Sequence, residues 1–195
     1  MRVKVPTSLN EILLGDVQRW QSYLKMKSDP ESFDDHRSIV EKVSIFTSLK
    51  KDEVELLERK DLNRLNDMIN EALNKQGEFK PRFVLDGVEY GFHPNLDKMT
   101  GGEYTNLRDY SFEPDTLHRT AAILFRPIVS ELFDTYQIAK YNGTDEHCEK
   151  MKMIPASIMN GAIVFFSNLT NELNNYIRKY LQAVQAKEKS RNHFG

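Results

Sequence analysis

From Pro155 to about Lys189 the chain runs without a proline through apolar residues at helical spacing, and this stretch restricts its fold more than any other. Ile158, Phe165, Leu169, Leu173, Ile177 and Leu181 fall on or near one stripe, at steps that keep a single face apolar. A helix of about 32 residues at 1.5 Å rise reaches roughly 48 Å, longer than a domain of this size is wide. Such a helix offers part of its stripe to a partner or to a copy of itself. The part through Leu173 is expected to be core. Beyond it, Tyr176, Ile177, Tyr180, Leu181 and Val184 have fewer sequence neighbours left to cover them and are expected to face a partner.

The 195 residues suffice for one full hydrophobic core and are few for two independent domains. With a formal net charge of -2 and 29% charged residues, bulk electrostatics select neither nucleic acid nor a basic partner. The single cysteine, Cys148, excludes an intrachain disulfide, and no charged start leads into an apolar run, so a reducing cytoplasm is the expected compartment. The longest strongly apolar run, Ala162 to Phe166, is far too short to span a bilayer.

Along the chain, Arg2 to Val5 alternates charged and β-branched residues ahead of Pro6 and reads as a short edge strand. Gly15 is expected to separate a turn from a helix near Asp16 to Met26, and Glu31 to Thr47 carries a second helical pattern. Ser48 reads as the cap of a short helix ending near Arg59, followed by a helix from Asp61 to Asn74 with Leu62, Leu65, Ile69, Ala72 and Leu73 inward. The period then changes from 3.6 to 2. Phe83-Val84-Leu85, Asp86-Gly87 and Val88-Glu89-Tyr90-Gly91-Phe92 spell a β-hairpin, because Asp-Gly accepts the positive φ angles of a two-residue I′ turn. A short helix follows Thr100-Gly101-Gly102, and another from Leu117 to Phe125 is expected to stop at Pro127. Thr135 to Tyr141 is strand-like and ends at an Asn142-Gly143 turn, Glu146 to Met153 offers one more helical turn, and Pro155 suits the first position of the long helix. The expected fold is mostly α (α+β): a helical domain over 1-154 containing a hairpin at 82-93, a long helix at 155-190 packed on it and partly extended, and a tail at 191-195.

Candidate chemistry is sparse. Glu113, Asp115 and His118 supply three possible ligands for a divalent ion and would carry a metal-dependent enzyme, although Asp115 equally suits a first helical turn. His147 and Cys148 are adjacent and so point apart on a helix, which argues against a nucleophile pair. No GxGxxG and no GxxxxGK[ST] motif exists to cradle a phosphate. The basic residues near the end, Lys187, Lys189 and Arg191, complement the helix dipole and lack interleaved aromatics for stacking bases. Arg126, among apolar residues before Pro127, reads as a structural guanidinium at a helix end with Asp97, Glu103 or terminal carbonyls as partners. Asp86, Gly87, Arg126 and Pro127 are therefore taken as structural positions. No catalytic residue, metal or cofactor is expected.

Several blocks resemble a group of short proteins of tailed bacteriophages. They are Phe83-Val84-Leu85-Asp86-Gly87-Val88-Glu89-Tyr90-Gly91-Phe92-His93-Pro94-Asn95-Leu96, Gly102-Glu103-Tyr104 and Ala122-Ile123-Leu124-Phe125-Arg126-Pro127-Ile128. The opening Val3 to Leu9, Met153-Ile154-Pro155 and Ala162 to Phe166 are similar too. The resemblance implies a tail assembly chaperone or small virion morphogenesis protein: mainly helical, not an enzyme, binding tape-measure or tail-tube subunits. Its implied place is the host bacterial cytoplasm or the virion, with other phage proteins or further copies of itself as partners and no nucleic acid, membrane or small-molecule substrate. A permanent neck, baseplate or internal virion component is the alternative.

Overall fold

The computed structural model describes residues 3–27, 35–110, 113–144 and 147–192. Within these the helices are α1 (Leu14–Met26), α2 (His36–Phe46), α3 (Lys51–Glu55), α4 (Arg59–Asn74), α5 (Gly101–Tyr110), α6 (Leu117–Leu124) and α7 (Ala156–Asn192). The strands are β1 (Arg82–Leu85), β2 (Val88–Phe92), β3 (Phe125–Leu132) and β4 (Thr135–Ile138), antiparallel throughout and in spatial order β1-β2-β3-β4. The fold is mostly helical α+β, as expected, but the hairpin is half of a four-stranded sheet.

The first hairpin forms as its sequence dictates. Asp86 has φ 50° and Gly87 φ 76°, the pair of left-handed residues that a I′ turn needs. Leu85 then faces Val88 and Phe83 faces Tyr90, whose rings stack at 5.4 Å. The helix expected to run to Pro127 instead ends at Leu124, and Phe125 opens β3. Proline disfavours the helical region for the residue before it, so Arg126 is extended and the chain leaves α6 as a strand. Pro127 sits within β3 opposite Tyr90; it has no N–H to donate, but its carbonyl accepts from the Ala139 N–H at 2.8 Å. Gly91 is required by β4, since a Cβ there would run into the Tyr136 ring, whose hydroxyl donates to the Phe92 carbonyl at 2.7 Å.

Three other expectations are corrected. Val3 to Val5 forms no strand; Val3 and Val5 pack as side chains against the helical core. Gly15 lies inside α1, where its missing side chain admits Lys152, whose Cβ would stand 3.1 Å from a Cβ at position 15. The cap of α3 is Lys50, whose N–H donates to Glu53 Oε2 at 2.8 Å, while the Thr47 hydroxyl, not Ser48, takes the preceding turn by accepting from Leu49 N–H. The segment Glu149–Met153 is a 3-10 helix, and α7 begins one residue after Pro155. Residues 31–34 of the second expected helix lie outside the described residues; α2 starts at His36, capped by Asp35, which accepts from Ser38 N–H at 2.7 Å.

Two apolar clusters form. One gathers Trp20, Val40, Val43, Phe46, Val54, Leu62 and Ile69 from α1 to α4. The other gathers Tyr90, Phe92, Phe125, Leu124, Met151 and Ile154 between the sheet, α6 and the 3-10 turn. The first turns of α7 join them, since Ala156 belongs to the helical cluster while Ile158, Met159 and Ala162 belong to the other. The linker after α4 lies directly on this part of α7. Gly77 N–H donates to Asn160 Oδ1 at 2.7 Å, and a Cβ at Gly161 would overlap the Glu78 carbonyl oxygen.

Two outcomes follow from this packing. Gly161→Ala gains helix propensity but drives its methyl into backbone that cannot rotate away, so urea unfolding should show a net loss of about 1–3 kcal/mol. At Asp35, the Ser38 N–H and Lys27 hold the carboxyl down at about 2, against an ordinary value of 3.8. A depressed carboxylate stabilises the fold above its unfolded value and loses that contribution as pH falls through the folded one. The melting-temperature gap between the wild type and Asp35→Ala should therefore be full above pH 4 and close as pH is lowered toward 2.

Candidate interaction surface

α7 is a 37-residue helix, about 55 Å long at 1.5 Å per residue. Only its beginning belongs to the body. Phe165 stacks on Phe79 at 4.7 Å and meets Phe92 edge-on at 5.9 Å, and Phe166 lies near Phe92. From Ser167 onward every residue whose side chain is described is exposed, including Leu169 at 46% and Ile177 at 44%. The core therefore ends at Phe166, three residues before Leu169, and Leu169 is no part of it, against the expectation of a core stripe through Leu173. Packing partners are exhausted once Phe165 and Phe166 have closed the sheet side. Ile177 stands where a partner-facing residue was expected; the side chains of Leu173, Tyr176, Tyr180, Leu181 and Val184 lie outside the described residues.

A second apolar projection was not foreseen. The β3–β4 hairpin carries Val129, Leu132 and Phe133 to its outer end, all exposed, with Phe133 at 90%. Phe133 is also left-handed, φ 54°, in the two-residue turn between Leu132 and Thr135. A bulky residue there costs backbone strain that glycine or asparagine would avoid. The strand-like run after Thr135 hinted at the return strand, but nothing in the sequence marks a Phe-Asp pair as a turn.

Inside the body, polar groups are committed to one another. Thr100 and Glu103 form a capping box at the start of α5: Glu103 N–H donates to Thr100 Oγ1 at 3.3 Å, and Thr100 N–H donates to Glu103 Oε2 at 2.5 Å. The other carboxylate oxygen receives Arg126 Nη2, which identifies the partner among the three foreseen, although Arg126 reaches it from a strand. Burial works to raise the Glu103 carboxyl, but the Thr100 hydrogen bonds and the Arg126 charge outweigh it and hold the group below its usual range. His93, 3.7 Å from the same carboxylate, is pushed down by burial and by Arg126 despite Glu103, so it stays neutral near pH 7. The Arg126 guanidinium also lies 5.7 Å from the Tyr141 ring centre, and its buried Nε has no hydrogen-bond partner.

The expected Glu113, Asp115 and His118 ligand set does not assemble. Asp115 turns to Lys25 at 2.6 Å and the Ser22 hydroxyl at 3.1 Å. Buried His118 instead lies near Cys148 and Glu149, the three ligand atoms falling within 4.8 Å of one another. The Gln18 amide settles the imidazole. Its Nε2 donates to the Pro114 carbonyl at 2.7 Å and to His118 Nδ1 at 3.0 Å, so the ring proton resides on Nε2, directed at Glu149 Oε1 at 3.5 Å. A metal at Nε2 would need that proton moved to Nδ1, against the Gln18 donor. Lys152, 2.7 Å from Glu149, places a further positive charge there. The adjacent groove, about 640 Å³, has apolar walls from Leu13, Tyr23, Met26 and Ile45, and its acids Asp16, Glu41 and Asp115 face Arg19, Lys51 and Lys25.

No family model, curated protein or solved structure matches the chain.

Because Arg126 and Glu103 are both buried, removing one charge strands the other. Glu103→Gln should cost about 3–5 kcal/mol in guanidinium unfolding, more than Arg82→Gln, whose partner Glu131 is half exposed.

Proposed function

We propose that this chain is a non-enzymatic morphogenesis protein of a tailed bacteriophage, a tail assembly chaperone that binds tape-measure or tail-tube subunits in the host cytoplasm before assembly. The observation that carries the reading is the outer part of α7, an amphipathic helix with Leu169 and Ile177 exposed and every described side chain from Ser167 to Lys179 turned to solvent. Apolar side chains held out in this way lay into a groove or against the helices of a partner and keep that partner's own apolar faces from aggregating. The phage-like sequence blocks support the same reading. Among the described residues no helix is long and apolar enough to cross a membrane.

A specific feature favours a second reading, a permanent neck, baseplate or internal virion component. The exposed Phe133 tip adds a separate sticky surface, and a fixed lattice part uses two contact surfaces where a transient chaperone needs one.

Mass spectrometry of purified particles separates the two. A chaperone is expected to be absent from mature virions, whereas a lattice part is present at fixed copy number. In either case Ile177→Asp should abolish particle assembly while circular dichroism and melting stay near wild type, since the residue is exposed in the isolated chain; normal assembly by that variant would end the reading of α7 as the working surface.

A further inference from the structure

We propose that the groove beside α1 is a second docking site, separate from α7, which receives an amphipathic helix of a partner protein through a lysine or arginine side chain set among apolar neighbours. The groove lies between α1, α2 and the end of the 3-10 turn, and none of its lining residues belongs to α7. At about 640 Å³ it has room for several side chains. Its lining includes Met26 and Met153, both exposed. Methionine is unbranched and polarisable and adapts to the apolar surface laid against it, so exposed methionines along a groove suit a helical segment better than a rigid small ligand.

Charge selects the sign of the partner. Two of the acids are more withdrawn than the bases they face: Asp16 and Glu41 leave 27% and 18% of their side chains exposed, against 65% and 62% for Arg19 and Lys51. The countercharges reach into water, where screening leaves such pairs little strength. At Asp16 the imbalance shows directly, since burial raises its carboxyl above the ordinary value even though Arg19 pulls the other way. An arriving ammonium or guanidinium supplies what Arg19 does not. Lys152, the other base of the lining, is already held by Glu149 at 2.7 Å, and Asp115 by Lys25 at 2.6 Å. Gln18 adds an independent sign of a ligand: it lines the groove, it is buried, and its Oε1 accepts no hydrogen bond. Its Nε2 is taken up by Pro114 and His118, so the amide has an acceptor to offer and no spare N–H directed elsewhere. Carboxylates, an amide oxygen and apolar walls together fit a cation on an apolar body, and they oppose an acidic side chain.

Fluorescence anisotropy of the full chain with labelled helical peptides tests this. The peptides share one leucine face and differ only at its central position, which is lysine, norleucine or glutamate. The lysine peptide is expected to bind roughly three- to thirtyfold tighter than the norleucine peptide, with glutamate weakest and the lysine advantage shrinking as salt is raised. Asp16→Asn combined with Glu41→Gln should remove the lysine advantage while leaving norleucine affinity and circular dichroism unchanged. Met26→Lys, at an exposed position, should weaken the lysine peptide about tenfold without disturbing the fold. Ile177→Asp should leave all three affinities as they are, which separates this site from the reading of α7. Equal affinity for lysine and norleucine, no binding at millimolar peptide, wild-type binding by Met26→Lys, or an advantage that survives the double carboxylate variant overturns the proposal. So does a chain that self-associates and is made monomeric by the lysine peptide, since the occupant is then a second copy.

Discussion

Everything in this molecule is hung on about seven residues at the start of α7. The Leu14 N–H reaches the Ile154 carbonyl at 2.9 Å and the Ala156 N–H reaches Ile12 at 2.8 Å, so the chain entering α7 is stitched to the chain entering α1. From that point Ala156 closes the helical cluster, and Ile158, Met159 and Ala162 close the sheet cluster. Two glycines make the third side possible. With Gly77 and Gly161 lacking side chains, the linker from α4 to β1 lies flat against the helix and delivers Phe79 to the aromatic group of Phe92 and Phe165. A helix fixed on three sides over two turns is a rigid root for the exposed length that follows it.

How far the sequence revealed this depends on whether the deciding interactions are local. The Asp86-Gly87 hairpin was fully legible because its turn chemistry is carried by two adjacent residues, and the amphipathic periods of α1, α2, α4 and α7 were legible for the same reason. What escaped was decided across the chain. Arg126 looked like a helix terminus because Leu117, Ala121 and Leu124 keep helical spacing right up to it, yet its position before Pro127 was a local sign of extended backbone. The Thr100 to Glu103 capping signature was present in the sequence, but that its spare oxygen would face Arg126 was not. Asp115 and His118 are three apart and were candidates for one ion; tertiary contacts with α1 pull them to Lys25 and Gln18 instead. Spacing alone could not place the limit of the core along α7, which is set by how many aromatic rings the sheet side can accommodate.

The interior and the exterior obey opposite rules. Buried ionisable groups have partners: Arg126 has Glu103, and Lys42 donates to Asn66 Oδ1 and Asn70 Oδ1 at 3.0 and 2.9 Å and lies 5.0 Å from the Trp20 ring centre. Matching of this kind makes the fold specific and leaves little reactive. The projections are unmatched. α7 holds leucine and isoleucine in water, and the β3–β4 turn holds a phenylalanine there in a conformation that costs on the order of 1–3 kcal/mol of strain.

That contrast bears on what kind of work the molecule can do. A site for chemistry needs polar groups whose demands the fold leaves unmet, so that substrate or transition state meets them. Here the fold settles most of the polar demands described above, the buried Arg126 Nε and Gln18 Oε1 excepted, and leaves apolar ones open at two places where the backbone is long or strained enough to keep them from folding back. Apolar surface gains free energy only when another surface covers it, and it does so without a preferred direction. Direction must then come from charges beside the stripe. Between positions 163 and 181 of α7 those are few, and their order along the helix, the acid Glu172 followed by the bases Arg178 and Lys179, distinguishes one end of that stretch from the other. The helix is thus a surface with a polarity as well as an appetite for contact, which is what an assembly needs if its parts are to meet in one orientation.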